Sequence, residues 1–234
     1  MSNEISFKTF LLINRKEFEI CIIQNISQDI IYSEKVSLNN NYDELNFEKL
    51  NAFLGKNIFR IEKILKNFIK SVNIILDSKE FFSVNLSIKK NNNGNYVNSK
   101  DLLNPLNDLK NLCQSNFKDK KIVHMLIKNY LIDNKNYLYL PQNMKCNFFS
   151  LDVEFICLPR NLIEDLEVIF KKYHISVKRI LYSKYIETFD DQNQPNIFST
   201  ASRILSGYND NEVLLVDKTF KNKGFFEKFF NFFN

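Results

Sequence analysis

The sequence predicts a mixed fold, α/β to α+β, and three observations predict it. Two β-branched and aromatic runs near the start are joined by a turn of three polar residues, Asn14-Arg15-Lys16. A single long segment then carries apolar residues at three- and four-residue steps. From Ser99 onward, helical and strand patterns alternate. Together these are a hairpin followed by crossovers, the pattern of strands and helices layered on one another.

Taken in order, Phe7–Ile13 and Glu17–Gln24 are strands and Asp29–Val36 a third. Asn46–Lys70 is the longest helix. Leu50, Phe53, Leu54, Ile58, Ile61, Leu65, Phe68 and Ile69 form its buried face, and Glu62 and Lys66 pair on the exposed side. Val72–Leu76 and Phe81–Lys89 are strands, and Asn91–Asn95 is a polar turn. Ser99 is expected to cap a helix over Asp101–Phe117, with Asp101 in its first turn. Pro105 fits only early in that helix or at a kink. Lys121–Ile132 and Lys145–Leu158 are long strands. Pro159 opens a helix ending near Tyr173, and Val177–Tyr185 is a strand. From Asp190 a polar linker is expected, then a short helix over Phe198–Ser206 stopped by Gly207. Asn209–Asn222 is expected to be a second linker.

Composition narrows the function. The 234 residues are 44% hydrophobic and 14% aromatic, which places the chain among folded proteins. The net charge of +5 is mild, and Lys is interleaved with Asp and Glu. A nucleic-acid binder gathers its basic residues into a stripe with exposed aromatics, so nucleic acid is not expected as a partner. Cys21, Cys113, Cys146 and Cys157 have no metal-ligand spacing. They read as buried, reduced thiols of a cytoplasmic protein, and no metal or cofactor is expected. No signal peptide opens the chain and no apolar run approaches the ~20 residues that span a bilayer.

The sharpest physical signal lies in Phe225–Asn234. At helical pitch, Phe225, Phe226, Phe229, Phe230, Phe232 and Phe233 fall within an arc of roughly 160°. Glu227, Lys228, Asn231 and Asn234 take the other side, and Lys221 and Lys223 stand just upstream. Such a helix can lie in a membrane interface, Phe face down, with Lys221, Lys223 and Lys228 meeting headgroups. Burying six Phe offers on the order of 10 kcal/mol as an upper limit. So short a helix is barely stable in water, so the membrane must order it. The competing interpretations are a tail folded onto its own core and an oligomer contact.

Acid–base or nucleophilic chemistry finds little support. His124 sits in an apolar strand and reads as structural; His174 is the only other histidine. No spacing argues for a nucleophile pair of Cys113 or Cys157 with His124. Asp152 and Glu154 lie on one strand face, Asp190 and Asp191 in a linker, and all read as solvated charge. Lys89-Lys90 and Lys118–Lys121 read as exposed turns.

Several segments resemble the bacterial cell-division protein family FtsA. Tyr96–Val97 and the Ser99–Phe117 helix resemble the start of that family's insert. Ile122-Val123-His124-Met125 with Tyr130, Ile132 and Asp133 is similar to its "IHVIP…Y.ID" strand, and Cys146–Leu158 to its closing strand. Leu162–Tyr173, Ile175–Val177 and Ile180–Leu181 resemble the return to the first actin-like subdomain. Pro195, Phe198-Ser199-Thr200-Ala201 and Leu205-Ser206-Gly207-Tyr208 are similar to the late "P.FATA.GLL.YG" stretch. Phe225–Phe233 matches the membrane helix in kind. The same grounds extend the resemblance to pilus-assembly actin-like proteins.

The resemblance implies an incomplete actin-like (ribonuclease H-like) subdomain with an inserted strand–helix–strand–strand subdomain and a C-terminal amphipathic helix. The implied divisions are 7–92 and 159–189 for the actin-like part, 93–158 for the insert, 190–223 for the linker and 224–234 for the membrane helix. The family's first phosphate loop needs a small Gly-containing turn, but the turn here is Ile13-Asn14-Arg15-Lys16-Glu17. The second loop, of the "DIGGGT" kind, has no counterpart among the four glycines, Gly55, Gly94, Gly207 and Gly224. The expectation is therefore a non-enzymatic adaptor of the divisome at the septum, peripheral on the cytoplasmic face of the inner membrane. Its expected partners are division proteins, a second copy and inner-membrane lipid; FtsZ stays a candidate although most of its docking region lacks a counterpart. The alternatives are a residual nucleotide-binding actin-like ATPase and a nucleic-acid-binding module.

Overall fold

The computed structural model describes residues 6–38, 45–190 and 196–214. Its elements run β1 (Phe7–Ile13), β2 (Glu17–Gln24), β3 (Ile30–Ser37), α1 (Phe47–Leu65), β4 (Ser71–Leu76), β5 (Phe82–Asn91), β6 (Tyr96–Val97), α2 (Leu103–Asn116), β7 (Lys120–Ile132), β8 (Lys135–Tyr137), β9 (Met144–Lys145), β10 (Phe148–Pro159), α3 (Arg160–Lys171), β11 (Ser176–Tyr182), α4 (Ser183–Glu187) and α5 (Ile197–Leu205). The chain divides into two compact units. The first unit comprises the residues up to Phe82 and Leu158–Tyr208, and the second Ser83–Cys157 and the residues from Asn209 on.

The first unit is built on a five-stranded mixed sheet of order β11-β4-β1-β2-β3. β1, β2 and β3 are antiparallel, while β4 pairs parallel to β1 and to β11. Parallel neighbours need crossovers, and α1 and α3 supply them. Register places Phe18 opposite Ile13 and Cys21 opposite Phe10, so the two rings lie on opposite faces. Phe18 meets Phe53 of α1 at 6.1 Å between ring centroids, and Phe10 meets Phe198 of α5 at 6.4 Å. Helices therefore cover both faces. That is why Phe10–Ile13 and Ile20–Ile23 read as continuous apolar runs, all buried.

α1 begins where the Asn46 side chain accepts from the Lys49 N–H at 2.8 Å. It ends at Leu65, five residues short of the expected bound. Lys66 takes left-handed backbone, φ 51°, and its N–H bonds to the Glu62 carbonyl. The chain beyond has left the helix: Phe68 is 74% exposed, whereas Ile69 is buried. The expected Glu62–Lys66 pair gives way to this stop, with the Glu62 carboxylate accepting from the Ile69 N–H at 3.0 Å. The strand expected through Tyr185 also ends early, at Tyr182. α4 follows and buries Tyr185 and Ile186.

The second unit holds a four-stranded sheet of order β5-β10-β7-β8 and a small β6-β9 ladder. α2 buries Pro105, Leu106, Leu109 and Cys113. It starts at Leu103 and no side chain caps it. Asn98 and Asp101 form a turn ahead of it, Asp101 Oδ2 accepting from Asn98 N–H and Asn98 Oδ1 from Lys100 N–H, both at 2.9 Å. Ser99 is thus not the cap, and Pro105 falls in the first turn, where its missing N–H costs nothing. The strand expected over Lys145–Leu158 is two strands. The Asp133 carboxylate accepts from the amides of Asn147 and Phe148 at 3.0–3.1 Å and separates β9 from β10. Asp133 and Asn134, both at positive φ, form the two-residue hairpin turn between β7 and β8.

Residues 209–214, expected to be linker, run instead along β7. Ile127 N–H donates to Asn211 O at 2.9 Å, Val213 N–H to Met125 O at 2.8 Å, and Leu126 bridges Glu212. The first segment of the first unit ends at Phe82, and from Ser83 on β5 belongs to the second unit, in whose sheet it lies beside β10.

Candidate functional site

The β1–β2 turn stands where the resemblance implies a phosphate loop. Asn14 Oδ1 accepts from the N–H groups of both Lys16 and Glu17 at 2.8 Å. The Asn14 N–H bonds to Glu17 O at 3.2 Å, and Lys16 O accepts from Leu38 N–H at 2.6 Å. Phosphate cradles work by aiming successive free backbone N–H groups at the anion. Here three of those donors are bound within the turn itself. The Asn14 side chain takes two of them and the Glu17 carbonyl the third, so the loop is closed on itself.

Asp152 and Glu154 of the second unit each face donors of their own. Asp152 accepts from Ser87 Oγ at 2.6 Å and from Asn129 Nδ2 at 3.1 Å, while Glu154 pairs with Lys128 at 3.3 Å. A donor faces each acid, which is the arrangement of a hydrogen-bonded sheet face and not of an acid–base couple. Lys90 pairs with Asp108 at 3.0 Å, Lys89 lies 3.7 Å over the Phe148 ring, and Lys120 pairs with Asp119 at 3.0 Å. Among the described residues no cluster of three or more His, Cys, Asp or Glu side chains could hold a metal.

His124 is buried in β7, and its Nδ1 lies 2.8 Å from Glu212 Oε1, itself 6% exposed. This pair fastens residues 209–213 to the sheet. Tyr130 Oη donates to Asn211 Oδ1 at 3.2 Å, and Asn211 Nδ2 donates to Leu138 O at 2.9 Å. Sequence reasoning made His124 structural but missed Glu212, which it left in a linker. The available signal was the apolar run Val213-Leu214-Leu215-Val216 beside it. His174 is exposed in the turn after α3, at φ 58°.

The four cysteines are buried and unpaired in disulfides. Burial pushes the Cys21 and Cys157 thiols up to about 12 and raises Cys113 and Cys146 too. Raised thiols are poor nucleophiles. Phe225, Phe226, Phe229, Phe230, Phe232, Phe233, Lys221, Lys223 and Lys228 lie outside the described residues. No described helix is long and apolar enough to cross a membrane.

No protein-family model matches the chain, and no curated protein is similar to it. Solved structures are similar in part. The cytoplasmic domain of EpsL, an inner membrane component of the type II secretion system of Vibrio cholerae, is 13% identical with a TM-score of 0.40, the likeness covering 77% of this chain and 59% of that one. The PilM–PilN type IV pilus biogenesis complex is 6% identical with a TM-score of 0.49, covering 78% and 49%. A Bacteroides thetaiotaomicron protein with an actin-like ATPase fold and unknown function is 17% identical with a TM-score of 0.34, covering 80% and 57%. The chain spans less than two thirds of the length of each.

Proposed function

We propose that this chain is a non-enzymatic adaptor: an actin-like frame whose first phosphate loop is closed, holding protein partners through its second unit and docking on the cytoplasmic face of a bacterial inner membrane through Phe225–Phe233. The observation that carries the non-enzymatic half is the β1–β2 turn, where Asn14 takes the amides that a nucleotide phosphate would need. The actin-like frame is supported by the strand order, in which the chain leaves an antiparallel hairpin sheet, passes through a second unit and returns to the same sheet as β11. The segment resemblances point to cell division as the process served, with other division proteins as partners. The membrane half rests on the segregated Phe face and its neighbouring lysines.

Two measurements test the two halves. Equilibrium dialysis with Mg-ATP is expected to give no saturable binding; saturable binding abolished by substitutions in the β1–β2 turn would restore the ATPase alternative. In co-sedimentation with anionic vesicles the intact chain is expected to pellet, and the Phe229→Glu, Phe230→Glu variant to stay in solution. Equal behaviour of the two chains would sink the membrane half.

A further inference from the structure

The two edges of the four-stranded sheet are treated differently. The β7 side is occupied by short pieces: β8 over Tyr130–Ile132 and residues 211–213 over Met125–Ile127. The β5 side is an edge ten residues long, with no described strand on its outer face. Long edges with unpaired amides attract another strand unless charge, Pro or a bulge blunts them. β5 has no Pro, and its charges wait until Lys89 and Lys90 at its end. Its burial alternates strictly: Val84, Leu86 and Ile88 are half-buried, and Ser83, Asn85, Ser87 and Lys89 are exposed. Lys90 reaches Asp108 of α2 while Ser87 reaches Asp152, so the apolar set shares the α2 face and the polar set the opposite one.

We propose that β5 pairs antiparallel with β5 of a second copy, about a two-fold axis at Leu86. This deepens the adaptor reading, on which it rests only for its purpose. Leu86 opposite itself puts Val84 opposite Ile88 on one face and Asn85 opposite Ser87 on the other. Apolar thus meets apolar, and groups that both donate and accept meet their like. The middle of the strand offers no charge for an acidic or basic peptide to match, so the complementary strand is its own copy. Charge also fixes the direction. Parallel pairing would set Lys89 beside Lys89; antiparallel pairing holds them six residues apart, about 20 Å and beyond the Debye length of about 8 Å at physiological salt. A single strand pair falls well short of the roughly 2,000 Å² and more that permanent dimers bury, so the dimer is weak in solution and strengthened when copies share a membrane.

Sedimentation velocity of the full chain over a range of concentrations is expected to show a reversible monomer–dimer equilibrium. Leu86→Lys with Ile88→Lys, both at partly exposed positions and checked for folding by circular dichroism and melting, is expected to raise the dissociation constant at least tenfold. Mixed Asn85→Cys and Ser87→Cys chains are expected to cross-link faster than either alone. Three results overturn the proposal: a monomer at every concentration, a dimer indifferent to the lysines, or protection from hydrogen exchange in the monomer of the β5 amides that point away from β10, which would mean that the chain covers its own edge. A monomer that still binds vesicles refutes this pairing and leaves the adaptor standing, whereas loss of vesicle binding leaves the pairing untouched.

Discussion

Single buried polar residues carry much of what is specific to this chain. Asn57 sits on the apolar face of α1, where its Nδ2 donates to Phe53 O and its Oδ1 accepts from Tyr32 Oη, both at 2.9 Å. Asn57→Ala removes one partner of a part-buried hydroxyl, the acceptor of its proton, and chemical denaturation should show a loss of about 1–3 kcal/mol, with Tyr32→Phe recovering part of it. His124→Ala leaves the Glu212 carboxylate buried without its imidazole, a loss of about 3–5 kcal/mol; Glu212→Gln should be milder. The thiols set a pH limit. Cys21 and Cys157 keep their protons up to about 12, whereas an unfolded thiol loses its own near 9. Above that value the unfolded chain binds fewer protons than the folded one, so stability should fall as pH rises from 9 toward 12. Urea midpoints across that range check it, and the fall should shrink in Cys21→Ala with Cys157→Ala.

Elements were legible to the extent that their cause was local. Alternation and apolar spacing placed every long strand and the cores of α1, α2 and α3. The stop of α5 was legible in Gly207, at φ 85°, whereas its start is set by a cap that the sequence reading does not name: Asn196 Oδ1 accepts from the amides of Phe198 and Ser199. Ser99 looked like the same signal and is not, because Asn98 and Asp101 close a turn first. The two therefore make a test by thermal or chemical melting: Asn196→Ala should cost about 1 kcal/mol, and Ser99→Ala should stay within about 0.5 kcal/mol. The break between β9 and β10 was invisible because its cause, Asp133, lies on the preceding hairpin. α4 was invisible because Tyr182–Tyr185 fits a strand as well as a helical turn until Tyr185, Phe189 and Tyr208 meet edge to face.

At the scale of the whole molecule, the mixed fold class followed from the sequence, whereas the placing of residues 209–214 did not. A six-residue segment rich in Asn and Asp carries no periodicity, and only a distant strand with a histidine at the right position makes it a neighbour of β7. The closed β1–β2 turn was half legible: the missing glycine could be read directly, but the capture of its amides by Asn14 needed coordinates. Asn14→Gly should therefore loosen that turn without creating Mg-ATP binding, since the second loop is still lacking; dialysis checks this.

The order in which the chain visits its two units also governs how it can be made. β4 waits for β11, and the Ser176 N–H that ends at Lys70 O closes a span of 106 positions. The intervening stretch Ser83–Cys157 is continuous and finds most of its partners at home. During synthesis at about 5–20 residues per second, that stretch leaves the ribosome whole while the first sheet still lacks an edge strand. For those seconds Val72 and Ile74–Leu76, buried in the finished protein, have β1 on one side and nothing on the other. The vulnerable moment in the life of this protein is thus set by its own topology, and it falls before β11 has emerged.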